Sequence, residues 1–480
     1  MKMQVRSESM RLLDIVSMGM DYIIMGIVAL LFVGVIFSLW YFLWFKKKRA
    51  GEKLDKRKIL FWGLFIIYAV MVLGATMLSR GNYFGNNKIY PLFYSYKDAW
   101  NDFSQTEWRN IILNICMFVP LGIFIPLLSK KTEKFWIVFS AGVAITCCIE
   151  IFQLVTKRGI FEPDDLLGNT VGTMIGYGIY RLVQYEVRKK KKECREKFIQ
   201  VVWFQIPILI TVLSFACIFL IYYMKELGNL SDSYIIKQKN IEVTSDVSLS
   251  DERESVMVYK TDILTTSETM ELAERLFEKQ GTCLEHKSTD IYENTAVYYS
   301  EDGKFSVWVE YKGGTFSYTN YDKVFESQED KEKGSNLTRE ELVENLREYG
   351  IFLPEENELV SKSENMYLLN VDCIKENGKI YDGSLKCTYY DDGSFGRIEY
   401  NIFQLEEYKE FKIISQEEAY KKLQNGEFLY YRKDDSIMDI RVQQVDLVYE
   451  LDTKGFYQPV YRFEVITGDL WTTIMIPAIE

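Results

Sequence analysis

Apolar residues follow two different rhythms along this chain, and the change falls near residue 224. Before it, apolar runs occupy 22–45, 59–78, 111–128, 135–155, 166–183 and 201–224. Each is near the ~20 residues that cross a bilayer as a helix. The third and fifth are shortest and carry Asn, Gly or Pro. After residue 224 the apolar positions come in short alternating stretches broken by Gly, Asn and Asp, the period-two pattern of strands. The expected fold is a polytopic α-helical membrane domain of about six spans. An α+β extracytoplasmic domain of about three helix-plus-antiparallel-meander repeats follows.

In the second half, Met270, Leu272, Ala273 and Leu276 mark a helix over 267–279. Strands are expected at 295–299, 305–311 and 315–319, with Gly303 and Gly313-Gly314 as turns. Thr338-Arg-Glu-Glu341 and Ser415-Gln-Glu-Glu418 are capping boxes that open a second and a third helix. Strands at 366–374, 380–390 and 395–403 follow the second helix, with Asp392-Gly393 as a hairpin turn. Strands at 440–451, 458–467 and 471–477 end the chain. The resulting plan is an amphipathic segment over 1–21, a transmembrane domain over 22–224, a polar stalk over 225–251 and an outer domain over 252–480. Leu12, Leu13, Val16 and Met20 lay the first segment on the membrane surface. No basic start, short apolar core and small-residue site occur in order, so no cleaved signal peptide is expected.

Charge supplies an orientation. Residues 1–224 hold 28 Lys plus Arg against 16 Asp plus Glu; residues 225–480 hold 29 against 52. Net charges of +12 and −23 recover the overall −11. Basic residues gather in alternate loops, eight over 46–58, three over 129–134 and seven over 186–197. The positive-inside rule places these loops in the cytosol, which leaves the N-terminus and the acidic half outside a plasma membrane. The acids argue against nucleic acid as a partner and against docking on anionic lipid.

Cys116, Cys147, Cys148 and Cys217 fall in spans, Cys194 in a cytosolic loop, and Cys283, Cys373 and Cys387 in the outer domain. Three is odd, so at most one outer bridge forms; Cys373 with Cys387 is the natural pair, and two free thiols are the alternative.

Asn110, Asn114, Glu150, Gln153, Arg158, Asp164, Asp165 and Asn169 lie in or beside three successive spans. Lipid cannot hydrogen-bond such groups, so they are expected to face one another, water or a ligand. Asn110/Asn114 and Asp165/Asn169 are spaced i,i+4 and Glu150/Gln153 i,i+3, so each pair shares a helix face. Glu150 lies roughly 22 Å up its span at 1.5 Å per residue, in the outer part of the bilayer. Three polar faces are thus expected to converge near the outer surface. The plainer readings are a helix start at Pro163-Asp164-Asp165 and interhelical amide contacts at Asn114 and Asn169. Gly168, Gly172 and Gly176 form a close-packing face, and Pro120 with Pro126 is expected to kink the third span, helped by Gly122.

Other chemistry is sparse. His286, the only histidine, has no neighbouring nucleophile motif. Cys and His spacings make no zinc pattern, and there is no phosphate-binding or dinucleotide loop, so neither metal nor cofactor is expected. An enzyme here would rest on carboxylates and Arg, with Glu150 the candidate acid or base. Tyr298, Tyr299, Tyr311, Tyr318 and Tyr321 are read as strand packing rather than sugar platforms.

The segment from Asn110 to Gly122, then Glu150, Gln153, Arg158, Asp164-Asp165 and Asn169-Thr-Val-Gly172, resembles the VanZ-like family, over about 59–183. Carried over by motif, the positions are Asn114, Pro120, Gly122, Glu150, Gln153, Arg158, Asp164, Asp165, Asn169 and Gly172. The resemblance implies an integral membrane protein of a Gram-positive-type cell envelope, in a family named for a link to glycopeptide (teicoplanin-type) antibiotic resistance. It implies no established reaction. The sixth span and the outer domain depart from the family core. The repeating helix and meander resemble PepSY-like modules, and Val445–Tyr449 with Pro459–Phe463 is similar to YycI-type regulatory proteins. Both imply binding or regulation. Three functional readings follow: an outward pocket for a membrane lipid, an envelope precursor or a glycopeptide-related ligand; a carboxylate-dependent enzyme on a lipid-linked substrate; and an anchored sensor acting on a membrane partner, a kinase or a transporter.

Overall fold

The computed structural model describes residues 56–78, 89–157, 160–192, 197–325, 337–363, 365–430, 438–468 and 470–480. The amphipathic segment and the first expected span lie outside the described residues, as do Arg158 and Cys194. The chain divides into two compact units at Lys225/Glu226, one helical and one sheet-rich.

The helical unit contains α1 (Lys56–Leu73), α2 (Tyr94–Asn101), α3 (Gln105–Leu128), α4 (Phe135–Thr156), α5 (Pro163–Lys190), α6 (Phe198–Trp203) and α7 (Ile206–Met224). Of these, α3, α4 and α7 are long and apolar enough to cross a membrane. α1 runs into a single π-helical turn, Gly74–Leu78. α3 starts six residues before its apolar run because the Ser104 side chain accepts from the Glu107 N–H at 3.2 Å. α5 is longer than its apolar run at both ends. Pro163, Asp164 and Asp165 begin it and Arg188, Lys189 and Lys190 end it, each charge matching the helix dipole. The sixth expected span is broken at Phe204-Gln205, where the Gln205 side-chain amide donates to the Gly178 carbonyl at 2.9 Å. The short helix α2 lies inside what the sequence reads as an outer loop.

The seam between α3 and α5 is backbone against backbone. A methyl group at Gly172 would stand 2.0 Å from the Ile115 carbonyl oxygen, one at Gly176 1.9 Å from that of Val119, and one at Gly122 1.9 Å from that of Thr173. Gly122 therefore serves close approach more than the kink expected beside Pro120, and α3 continues through both prolines. Gly168 is different: its nearest neighbour would be an Ile115 side-chain carbon at 3.6 Å. At the far end of α5, Glu133 accepts from Gln184 at 3.2 Å and pairs with Arg188 at 3.5 Å.

The described residues of the sheet-rich unit form 13 strands in one connected, branched sheet: β1 (Ile241–Ser245), β2 (Ser255–Thr261), β3 (Asp290–Ile291), β4 (Thr295–Tyr299), β5 (Phe305–Glu310), β6 (Phe316–Asn320), β7 (Glu358–Ser363), β8 (Met366–Glu376), β9 (Lys379–Tyr389), β10 (Phe395–Lys412), β11 (Met438–Leu451), β12 (Phe456–Thr467) and β13 (Leu470–Pro477). Its strand order is β1-β11-β12-β2-β10-β6-β5-β4-β3, with β13 on β12 and β7-β8-β9 on β10. Helices Thr266–Lys279, Arg339–Glu348 and Gln416–Gln424 precede the strand groups β3–β6, β7–β10 and β11–β13. Each opens with a complete capping box: the two expected, at Thr338 and Ser415, and a third at Thr265 with Glu268. The strands form no separate sheets, because β10 (Phe395–Lys412) pairs with β6 (Phe316–Asn320) and β9 (Lys379–Tyr389) through its first part and with β2 (Ser255–Thr261) through its last. Tyr298 and Tyr318 are fully buried in the larger core.

One expectation needs correction, and one open alternative is decided. The 225–251 stretch is not a free stalk. Gly228 donates to Asp452 at 2.6 Å, Asn229 to Thr453 at 2.8 Å and Asp232 to Glu450 at 2.9 Å. Ile241–Ser245 then forms β1, the parallel edge strand on β11 (Met438–Leu451). Cys373 and Cys387 are both free thiols. Cys387 sits opposite Tyr367 on β8, six residues from Cys373 on the same strand, about 20 Å at the usual strand rise. That is far beyond disulfide reach.

Gly172→Ala should lose about 1–3 kcal/mol or more of stability, because backbone cannot rotate away from the new methyl. Gly168→Ala should be neutral or slightly stabilising, because its Cβ finds ordinary contact distance. Thermal unfolding of the two variants in detergent checks the contrast. Burial pushes the Cys387 thiol up to about 12, and burial with Asp382 pushes Cys373 up to about 11. Alkylation of the exposed Cys373 should therefore quicken about tenfold per pH unit over the alkaline range where the fold holds, while Cys387 reacts only on unfolding. Peptide mapping after timed labelling reads both.

Candidate functional site

Beyond the glycine seam a cavity of about 710 Å³ opens between α3, α4, α5 and the π turn of α1. Asn110 and Asn114 enter from α3, Glu150 and Gln153 from α4, and Asp165 and Asn169 from α5. Six of the eight sequence-predicted site residues thus line one space. Arg158 lies outside the described residues. Asp164 is absent from the wall. Its two carboxylate oxygens accept from the Phe93 N–H at 2.5 Å and the Ser95 N–H at 2.8 Å, pinning the start of α2 to the start of α5. The plainer reading of Asp164 is the one its geometry supports.

Pro120, named above for its kink, also borders the space, and most of the other wall residues were not read from sequence. Thr76 comes from the π turn, Tyr68, Met71, Val72 and Ala75 from the apolar face of α1 and the turn, and Ser95, Glu107 and Glu162 from the polar rim. Only the Gly74-Ala75-Thr76 break in an apolar run signalled any of them. The volume lies in the usual range for small-molecule sites. The lining combines apolar residues (Met71, Val72, Ala75, Leu113, Met117) with the polar set, the mixture an amphiphile requires.

Hydrogen bonds hold the polar set in place. The Asn114 amide donates to Asp165 at 2.6 Å, the Gln153 amide to the Thr76 carbonyl at 2.8 Å, and the Asn169 amide to the Thr146 hydroxyl at 2.9 Å. Glu150 accepts from the Glu162 N–H at 3.1 Å, which ties the α4–α5 connection to the cavity. Tyr68 donates to the Met117 carbonyl at 3.1 Å, fixing α1 beside the Pro120 turn. Glu150 and Gln153 are each 1% exposed and Asn169 3%, so this is buried polar chemistry in an apolar unit. The site is preformed: α3 and α5 are locked below it, Asp164 holds α2 above it, and Gln153 anchors the π turn at its side.

Residues 32–184 match the family model described as VanZ/LLP1. Protein VanZ of Enterococcus faecium is 26% identical over 137 residues, which are 28% of this chain and 81% of that protein. The VanZ-like character of the helical half, read above from Asn110 to Gly172, is shown by these matches. Two solved structures are similar over about half of the chain. An uncharacterized protein from Eubacterium rectale has a TM-score of 0.26 at 12% identity, covering 50% of this chain and 89% of its own. The YpeB C-terminal domain of Bacillus megaterium has a TM-score of 0.20 at 12% identity, covering 45% and 94%.

Asp164→Ala should free the Phe93 and Ser95 amides, at a cost of about 1–3 kcal/mol in local stability. Hydrogen exchange at those two amides should accelerate about tenfold or more, while amides of the α3–α5 seam keep their protection.

Proposed function

We propose that this VanZ-like membrane protein binds an amphiphilic envelope ligand, a lipid or a peptidoglycan-related precursor, in the cavity between α1, α3, α4 and α5. The observation that carries this reading is the convergence of Asn110, Asn114, Glu150, Gln153, Asp165 and Asn169 on one preformed space that also has apolar lining residues. Charged and amide groups are costly in an apolar helical unit, so their gathering calls for a ligand. The loop charges support a multi-pass arrangement in the plasma membrane with the cavity mouth, the N-terminus and the sheet-rich domain outside. The link of the family to glycopeptide resistance of the teicoplanin type supports a ligand of the cell envelope. The sheet-rich unit then serves as an extracytoplasmic PepSY-like module that senses or modulates.

A second reading makes that module the working part, acting on a partner kinase or transporter. It is favoured by the share of the chain the module occupies, residues 226–480. A third makes Glu150 a catalytic acid or base on a lipid-linked substrate.

Native mass spectrometry of the full-length protein, extracted with its own lipids, separates these. Ala75→Trp takes up space beside the apolar lining residues and should strip the bound amphiphile while the protein stays folded. An unchanged set of adducts would defeat the cavity reading. Glu150→Gln keeps an acceptor but cannot carry a proton, so binding that persists with turnover lost would favour the enzyme.

A further inference from the structure

We infer that the cavity recognises its ligand by N–H donors on the head group, a primary ammonium, and not by positive charge alone or by the tail alone. This rests on the proposed cavity reading and adds the chemistry of the ligand. Four amides line the cavity, Asn110, Asn114, Gln153 and Asn169, and three of them donate to the protein: Asn114 to Asp165, Gln153 to the Thr76 carbonyl and Asn169 to the Thr146 hydroxyl. Two are left with an unpaired oxygen. Gln153 Oε1 and Asn169 Oδ1 are buried and have no hydrogen-bond partner among the described residues. An amide acceptor buried without a donor costs about 1–3 kcal/mol, so two in one cavity are a standing cost that a donor-bearing ligand removes.

Much of the rest of the polar wall has the same sense, Asn110 and Ser95 apart: Glu107, Glu150, Glu162 and Asp165 contribute carboxylates, which when ionised are acceptors only. Pro120, also on the wall, has no N–H to give the Cys116 carbonyl one turn back, so α3 presents a further acceptor where both residues border the cavity. No described wall residue is Lys, Arg or His. A head group without N–H donors, a bare phosphate or carboxylate among them, would leave Gln153 Oε1 and Asn169 Oδ1 unpaired. A quaternary ammonium would bring charge without a single hydrogen to donate. A primary ammonium brings three donors, enough for Gln153 Oε1, Asn169 Oδ1 and one carboxylate together. Met71, Val72, Ala75, Leu113 and Met117 stand beside it to take a hydrocarbon chain.

The test uses purified full-length protein in nanodiscs and three probes: dioleoyl phosphatidylethanolamine, dioleoyl phosphatidylcholine and free ethanolamine. The two lipids share tails and formal charge and differ in N–H donors. Native mass spectrometry should show at least about tenfold preference for the ethanolamine lipid. Gln153→Met and Asn169→Leu, each close in volume and each removing one unpaired acceptor, should both reduce the preference. Thermal unfolding establishes that each variant is folded. Equal occupancy of the two lipids in wild type would overturn the donor requirement while leaving the cavity a lipid site. Failure of either lipid to bind the wild-type cavity, or binding indifferent to Ala75→Trp, would overturn the cavity reading itself. Free ethanolamine binding as tightly as the lipid would uphold the ammonium and reject the need for a tail. A preference that survives Gln153→Met intact would remove Gln153 from the recognition and defeat the assignment.

Discussion

Everything in the helical unit depends on the contact of α3 with α5 through Gly122, Gly172 and Gly176. Where a side chain would normally separate two helices, a carbonyl oxygen occupies its place. Lipid tails are as apolar as the helices, so close van der Waals packing, more than hydrophobic burial, holds such a pair together. The seam also sets the register of the site. Asn114 lies two turns before Gly122 on α3, and Asn169 one turn before Gly172 on α5, so locking the glycines brings Asn114 and Asp165 within hydrogen-bond distance. Larger residues at the seam would push these polar groups apart before altering any of them.

Much of the site was legible in the sequence because two local rules coincide there. Polar groups in apolar helices seek each other, and i,i+3 or i,i+4 spacing names the face from which they do so. That sufficed to bring Asn110, Asn114, Glu150, Gln153, Asp165 and Asn169 together. The same rules misjudge Asp164. Its neighbour Asp165 points into the cavity, whereas Asp164, one position earlier and about 100° around the helix, meets the backbone of α2. α2 itself is short, and its tie to Asp164 spans about seventy residues, so no window of sequence contains it. Thr76 escaped for a related reason: only the π turn and the distant Gln153 give that carbonyl its place.

In the sheet-rich unit the helix starts were the readable part. A capping box is complete within four residues, and two of the three were recognised from them. Strand partners are not local. The long β10 carries β6, β9 and β2, and nothing in its own alternation names three neighbours. The same holds for the segment after Met224. Its polar composition reads as a solvated tether, yet its backbone finds Asp452, Thr453 and Glu450 over two hundred residues on. A cysteine pair flanking a glycine turn leaves bridge and free thiols open until register is known; here Cys373 falls in the bulge between Val371 and Ile374 and Cys387 opposite Tyr367.

The π turn at Gly74–Leu78 carries one residue more than an α turn between bonded partners. A single-codon deletion there would let the ladder revert to ordinary spacing and swing the chain on one side by about 100°. Thr76 would leave Gln153, and the cavity would exchange that wall for a different set of side chains. Lineages can therefore retune this site by gaining or losing one amino acid in α1, leaving α3, α4 and α5 untouched.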